Sequence, residues 1–160
     1  MNMLLKDIVH FSKDLKRGCD MGAITFLLPL YLAKEVKTIE GRTRLQKLVF
    51  LIQERVVKDL KLEEAYEFEP GTYGPYSRKL TESIKFMQSM RWVQEKMKTG
   101  EDKTLFVYEL TQAGDMLVEQ NKICNKIEET IKEIVKEYNK MELSELVERV
   151  HKEFPQFVKK

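Results

Sequence analysis

Apolar positions along the chain recur mostly at helical spacing, interrupted by one β-rich stretch. Leu4, Leu5, Ile8, Phe11 and Leu15 share a face with Lys and Asp between them, which predicts an amphipathic helix over 3–17 ending near Gly18. The next, from about Asp20 to Val36, is apolar nearly all round (Ile24, Phe26, Leu27, Leu28, Leu30, Tyr31, Leu32), as a buried central element would be. Pro29 is expected to kink it by removing one backbone hydrogen bond. A third begins at Gly41-Arg42-Thr43-Arg44 and carries Leu45, Leu48, Val49, Ile52 and Val56 on one face. Lys47 and Glu54 fall on its far side, and Phe50 turns toward some other element.

The stretch from Phe68 to Leu80 is predicted to enter as a strand, turn, and leave as a helix. Pro75 stands at the first helical position, where its missing N–H is no loss, and Gly74 lets the chain bend before it. On that helix, running to about Met90, Tyr76, Leu80, Ser83, Ile84 and Met87 form a packed stripe. Arg78, Glu82, Lys85 and Ser89 lie opposite, and Phe86 and Met90 flank the stripe. Trp92–Lys98 and Thr104–Leu110 then read as a hairpin about a polar loop, with Lys96, Lys98 and Lys103 near its tip. Two packed helices, a third helix and a hairpin is the order of a winged helix-turn-helix, so the fold class is mainly α with a small β-hairpin.

Thr111 is a good N-cap for a long helix. Ala113, Leu117, Gln120, Cys124, Ile127, Ile131, Ile134, Tyr138 and Met141 alternate in steps of four and three, a heptad seam interrupted by Gln120. After a break near Met141–Leu143, a last stripe of Leu143, Leu146, Val147, Val150 and Phe154 ends at Pro155. The preferred reading divides the chain into a winged domain over 1–110, with an extra N-terminal helix, and a helical extension over 111–160. In it Leu117, Cys124, Ile127, Ile131, Ile134 and Tyr138 pair two chains in a homodimer. The alternative folds the last helix back on the seam as an internal hairpin.

Composition narrows the chemistry. The 160 residues carry 42% hydrophobic and 34% charged side chains with seven Gly and four Pro, which describes a globular chain. The net charge of +2 is too small to identify a nucleic-acid binder, yet it is unevenly spread. Six Lys or Arg face two Glu between Gly71 and Gly100, while Asp59–Glu69 holds five acids and one Lys. Cys19 and Cys124 lie far apart with no metal-ligand spacing, so no zinc site or disulfide framework is expected, and a reducing cytoplasm is the default. The longest apolar run is too short to cross a bilayer and no leader peptide is evident. His10 and His151 stand at opposite ends, no phosphate loop or nucleophile elbow occurs, and Glu63, Glu64, Glu67 and Glu69 read as a solvated acidic loop. No catalysis, metal or cofactor is expected.

Three blocks carry a resemblance: Gly41-Arg-Thr-Arg-Leu-Gln-Lys-Leu-Val-Phe-Leu, Tyr73-Gly-Pro-Tyr-Ser-Arg-Lys-Leu, and Tyr108-Glu-Leu-Thr-Gln-Ala-Gly. Together they resemble the YwgA-like winged-helix proteins of bacteria and archaea. The Leu-Gln-Lys-Leu and Tyr-Gly-Pro blocks are also similar to the SocA-like Panacea antitoxin domain, and the Tyr-x-Leu-Thr-x-x-Gly ending is similar to PadR-like and MarR-like regulators. The Panacea likeness implies a module that binds a toxin protein rather than an operator.

The leading expectation is a dimeric regulator that binds duplex DNA. In the helix-turn-helix mode, residues near the start of the second helix meet base edges, which here places Ser77, Arg78, Thr81, Glu82 and Lys85 in the major groove. Arg78 is the candidate for a bidentate guanine contact, and Arg42, Thr43, Lys98 and Lys103 would hold phosphates. The alternative is an antitoxin-like module that docks a partner protein and leaves that basic face as ordinary surface; fold alone does not choose between them.

Overall fold

The computed structural model describes residues 21–59, 66–102 and 104–159. The helix expected over 3–17, with His10 and Cys19, and the loop cation Lys103 lie outside the described residues. The rest is mainly helical with two small antiparallel sheets. In order come α1 (Met21–Val36), β1 (Ile39–Glu40), α2 (Arg42–Asp59), β2 (Glu69–Gly71), β3 (Gly74–Tyr76), α3 (Arg78–Ser89), β4 (Val93–Thr99), β5 (Thr104–Leu110), α4 (Gln112–Gln120), α5 (Asn125–Tyr138) and α6 (Leu143–Glu153). A 3-10 turn over Pro155–Phe157 follows.

β4 and β5 form the expected hairpin, in register from Val93 opposite Leu110 to Thr99 opposite Thr104. Strand β1, which has no counterpart in the sequence expectation, adds to the other side of β5 through Ile39 opposite Tyr108, giving the order β1-β5-β4. The hairpin leads directly into α4. Thr111 caps that helix through its hydroxyl, which accepts from Gly114 N at 3.1 Å. Gly114 has no room for a side chain, since a Cβ there would lie 2.0 Å from the Trp92 carbonyl oxygen.

The start of α3 differs from expectation. Gly74-Pro75-Tyr76 is a strand paired with Glu69–Gly71, so that Pro75 opposes Pro70 and the turn at Thr72-Tyr73 closes a second hairpin. The helix begins three residues later because Ser77 is the better cap: its backbone is extended and its hydroxyl accepts from Leu80 N at 3.1 Å. The buried stripe of Leu80, Ser83, Ile84 and Met87 is as predicted, but Tyr76 stands outside it, exposed.

The long helix over 111–141 is broken. Asn121 ends α4 with non-helical dihedrals while its amide nitrogen donates to Leu117 O at 2.8 Å, and the Tyr31 hydroxyl donates to its carbonyl. An Asn that bonds its own backbone, with a competing donor on its carbonyl, stops the helix there. Beyond the break, Ile127, Ile131, Ile134 and Tyr138 are buried in the chain's own core, with α5 against α1 and α2 and with Leu146 and Val150 of α6 buried in the same core. Four of the six residues expected to pair two chains are therefore enclosed within the chain, against α1 and α2 rather than in a hairpin with the last helix. Leu117 and Cys124 pack at the margin of the core, Cys124 as the N-cap residue of α5.

One core runs from Leu27 to Val150 with α2 at its centre. Phe50 meets Phe68, Phe154 and Phe157 at ring-centroid distances of 5.1, 4.9 and 5.0 Å, each near edge-to-face, which ties α2 to the last turn of the chain. Phe86 likewise meets Phe26 and Trp92. Because Ile134 is fully enclosed, Ile134→Ala should cost about 2–4 kcal/mol in urea denaturation with no change of mass by light scattering. Loss of a dimer at near-native stability would restore the intermolecular seam.

Candidate functional site

Helix α2 is buried all round from Arg44 to Gln53, although four of those residues are polar. Such groups must find partners inside, and each does so on the backbone of another segment. Arg44 Nη1 and Nη2 donate to Asn139 O and Met141 O, at 2.9 and 2.7 Å, and so cap the carboxyl end of α5. Gln46 pairs with Ser77 at both ends of its amide: Nε2 donates to Ser77 O at 2.9 Å and Oε1 accepts from Ser77 N at 2.8 Å. Gln53, two turns further, does the same with Tyr66, at 2.7 and 2.9 Å. Lys47 Nζ donates to Pro75 O at 2.9 Å.

Gln46 and Lys47 thus fix the β2–β3 hairpin to the middle of the protein. Gly74 completes the joint with a φ of 95°, and a Cβ there would lie 3.2 Å from the His151 ring and 3.3 Å from Lys47 Cε. The hairpin is held at its base while its tip projects: Tyr73 is 62% exposed and Tyr76 46%. Between this tip, the start of α2, one side of α3 and the sheet lies a cleft of about 710 Å³, reached by Arg42, Lys47, Lys85 and Lys159 as well as by Glu69, Glu95, Tyr73, Tyr76 and Tyr108. Lys47 is 2% exposed, and burial pushes its ammonium down to about 8.

The residues expected to touch DNA fare differently from one another. Ser77 is fully buried as a helix cap and faces no groove. The Thr81 hydroxyl is engaged with Gln46, Tyr76 and Ser77 O. Arg42 lies 4.0 Å from the centre of the Phe106 ring and 3.4 Å from Glu95, and Thr43 is half-buried on the cleft wall. Lys98 pairs with Glu40 at 3.4 Å. Arg78, Glu82 and Lys85 do share the open side of α3, with the Arg78 side chain 89% exposed and 3.7 Å from Glu82. Exposed pairs of this kind are worth at most about 1 kcal/mol, so they do not lock the side chains.

Sequence reasoning gave Arg44 no role and set Lys47 on the far side of the helix. The signal that could have found them is the unbroken apolar run from Leu48 to Ile52, which covers every side of the helix just after them. Among the described residues no group of three His, Cys, Asp or Glu side chains could hold a metal ion, and no helix is long and apolar enough to cross a membrane.

The family model for the antitoxin SocA-like Panacea domain matches residues 45–155. The match takes in α2 from its first turn, both hairpins and α6, and the chain belongs to that family. The search of curated proteins returns no match.

Two outcomes follow from the α2 contacts. Gln46→Ala leaves the Ser77 N–H buried without its acceptor and should cost about 2–3 kcal/mol, with faster amide exchange at Ser77. Unchanged exchange there would mean that the clamp carries no load. For Lys47, the folded group releases its proton near 8 and the unfolded one near 10.5, so the unfolded chain holds more protons between them and stability rises with pH across that window. The wild type should gain on the order of 3 kcal/mol over Lys47→Met from pH 8 to 10.5, because Tyr and the other Lys titrate in both. A difference that is flat with pH contradicts a buried charged lysine.

Proposed function

We propose that this Panacea-family chain is a protein-interaction module on a winged-helix scaffold, and that its partner is a protein such as a toxin. The order α1-β1-α2-α3-β4-β5, with β1 beside β5, supports the scaffold reading. The observation that carries the function is the Tyr73–Tyr76 hairpin. Two aromatic side chains are exposed on a two-stranded turn whose base is bonded to the central helix at Ser77 and Pro75. Exposed tyrosines on a rigid mount bring contact area at little entropic cost, which is the usual character of a binding hot spot. The family's antitoxin description supports the same class of partner. Neither a catalytic residue nor a cofactor enters this reading.

Duplex DNA remains a second reading on one observation, the open side of α3 with Arg78 and Lys85 exposed. It is the weaker of the two. Ser77 is enclosed, Arg42, Arg78 and Lys98 each stand beside a carboxylate, and Glu82 sits in the middle of the face that would enter the groove.

Co-expression with the product of the adjacent reading frame separates the readings. A stable complex should form, and Tyr73→Ser should weaken it at least about tenfold, as loss of a hot-spot aromatic does, without lowering thermal stability. Arg78→Ala should leave the complex intact. No complex, together with a DNA mobility shift that fades steeply with salt and with Arg78→Ala, would overturn the proposal.

A further inference from the structure

The cleft beside the hairpin has a charge arrangement that its own residues leave incomplete. Four cations and two carboxylates reach it. Glu95 is beside Arg42, whereas Lys47, Lys85 and Lys159 form no ion pair among the described residues. Lys47 is the telling one. It is enclosed by α2 and the hairpin, its nitrogen has one bonding partner, a peptide carbonyl, and an ammonium can donate three hydrogen bonds. A buried cation with no anion is costly to keep, and the cost is recovered when a carboxylate arrives. The first turns of α2 and α3 contain no acid of their own, and the positive end of α2 borders the cleft.

Resting on the protein-partner reading, we infer that the cleft receives an extended acidic segment of that partner, with one Asp or Glu carboxylate turned toward Lys47 and Lys85 and the neighbouring residues lying against Tyr73 and Tyr76. The cleft's volume suits a short piece of chain. Pro70, Leu45 and Ile84 give it apolar wall between the polar groups. A DNA duplex does not meet these requirements. It is too broad to bring a phosphate to a side chain that is 2% exposed, and Glu69 and Glu95 at the border would repel its neighbours along the strand. A single carboxylate on a flexible side chain can enter where a polyanion cannot.

The test exposes the whole chain to phage-displayed random linear peptides and then titrates the enriched sequences as synthetic peptides. Enriched peptides should share an Asp or Glu, and exchanging it for Asn or Gln should weaken binding at least about tenfold, as for a desolvated charge pair. Lys47→Met should lower affinity for the acidic peptide to that of its amide counterpart, with no further loss when both changes are combined. Lys85→Gln, at the exposed rim, should reduce the same preference in a protein whose hairpin anchor is untouched. Peptides that bind equally well with the acid exchanged would overturn the carboxylate site while leaving the protein-partner reading in place. Failure of any peptide to enrich, with duplex DNA retained instead, would remove both.

Discussion

Four polar side chains inside the central helix hold this fold in its particular form. A helix buried on every side gains from its apolar residues whichever way the neighbours pack, because the hydrophobic effect has no direction. Arg44, Gln46, Lys47 and Gln53 supply the direction. Each must meet a backbone group, and each accepts only one arrangement of the segment that offers it: the end of α5, the first residue before α3, the second strand of the hairpin, and Tyr66 ahead of β2. Two of them use the whole carboxamide on the backbone N–H and C=O of a single residue. A sliding or rotated neighbour would leave a donor and an acceptor unpaired together, at several kcal/mol.

This constraint also explains why the exposed features of the molecule are rigid. The β2–β3 hairpin is two short strands of three residues, too small to be stable alone. It is ordered because Gln46 and Lys47 grip its base, His151 covers Gly74, and Lys159 N closes on it through Gly71 O at 3.2 Å. The sequence from Leu45 to Leu48 and the sequence from Tyr73 to Ser77 are therefore two halves of one joint.

Much of the fold was legible because its signals were local. The stripe on α3, the presence of the β4–β5 hairpin, the Thr111 cap and the orientation of Phe50 all rest on periodicity or on turn chemistry within a few residues. The failures share the opposite character. Pro75 suits a first helical turn and a strand opposite another proline equally well, and only the distant Gln46 decides for Ser77 as the cap. Heptad spacing from Ile127 to Tyr138 is the same whether the facing helix belongs to a second chain or to α1 and α2 of the same one. Asn121 breaks the helix in concert with Tyr31, ninety residues away in the sequence. Arg44 and Lys47 looked like surface because a long cationic side chain is usually solvated. Their burial depends on where the carbonyls of α5 and β3 fall.

The functional choice follows from the same distinction between groups with a partner and groups without one. On the faces a duplex would use, four cations stand beside carboxylates of the chain itself, Arg42 with Glu95, Arg78 with Glu82, Lys96 with Glu109 and Lys98 with Glu40, while Lys85 does not. A phosphate would have to displace each of those anions or share its cation. In the cleft the balance is reversed, with an enclosed ammonium on a lone carbonyl beside two protruding tyrosines. Electrostatic need and apolar contact area coincide there and nowhere on the outer side of α3, where the exposed positions are charged or polar. A folded protein partner can satisfy both at once, with an aromatic-binding surface and one carboxylate, whereas a nucleic acid offers the charge in a form too broad to enter.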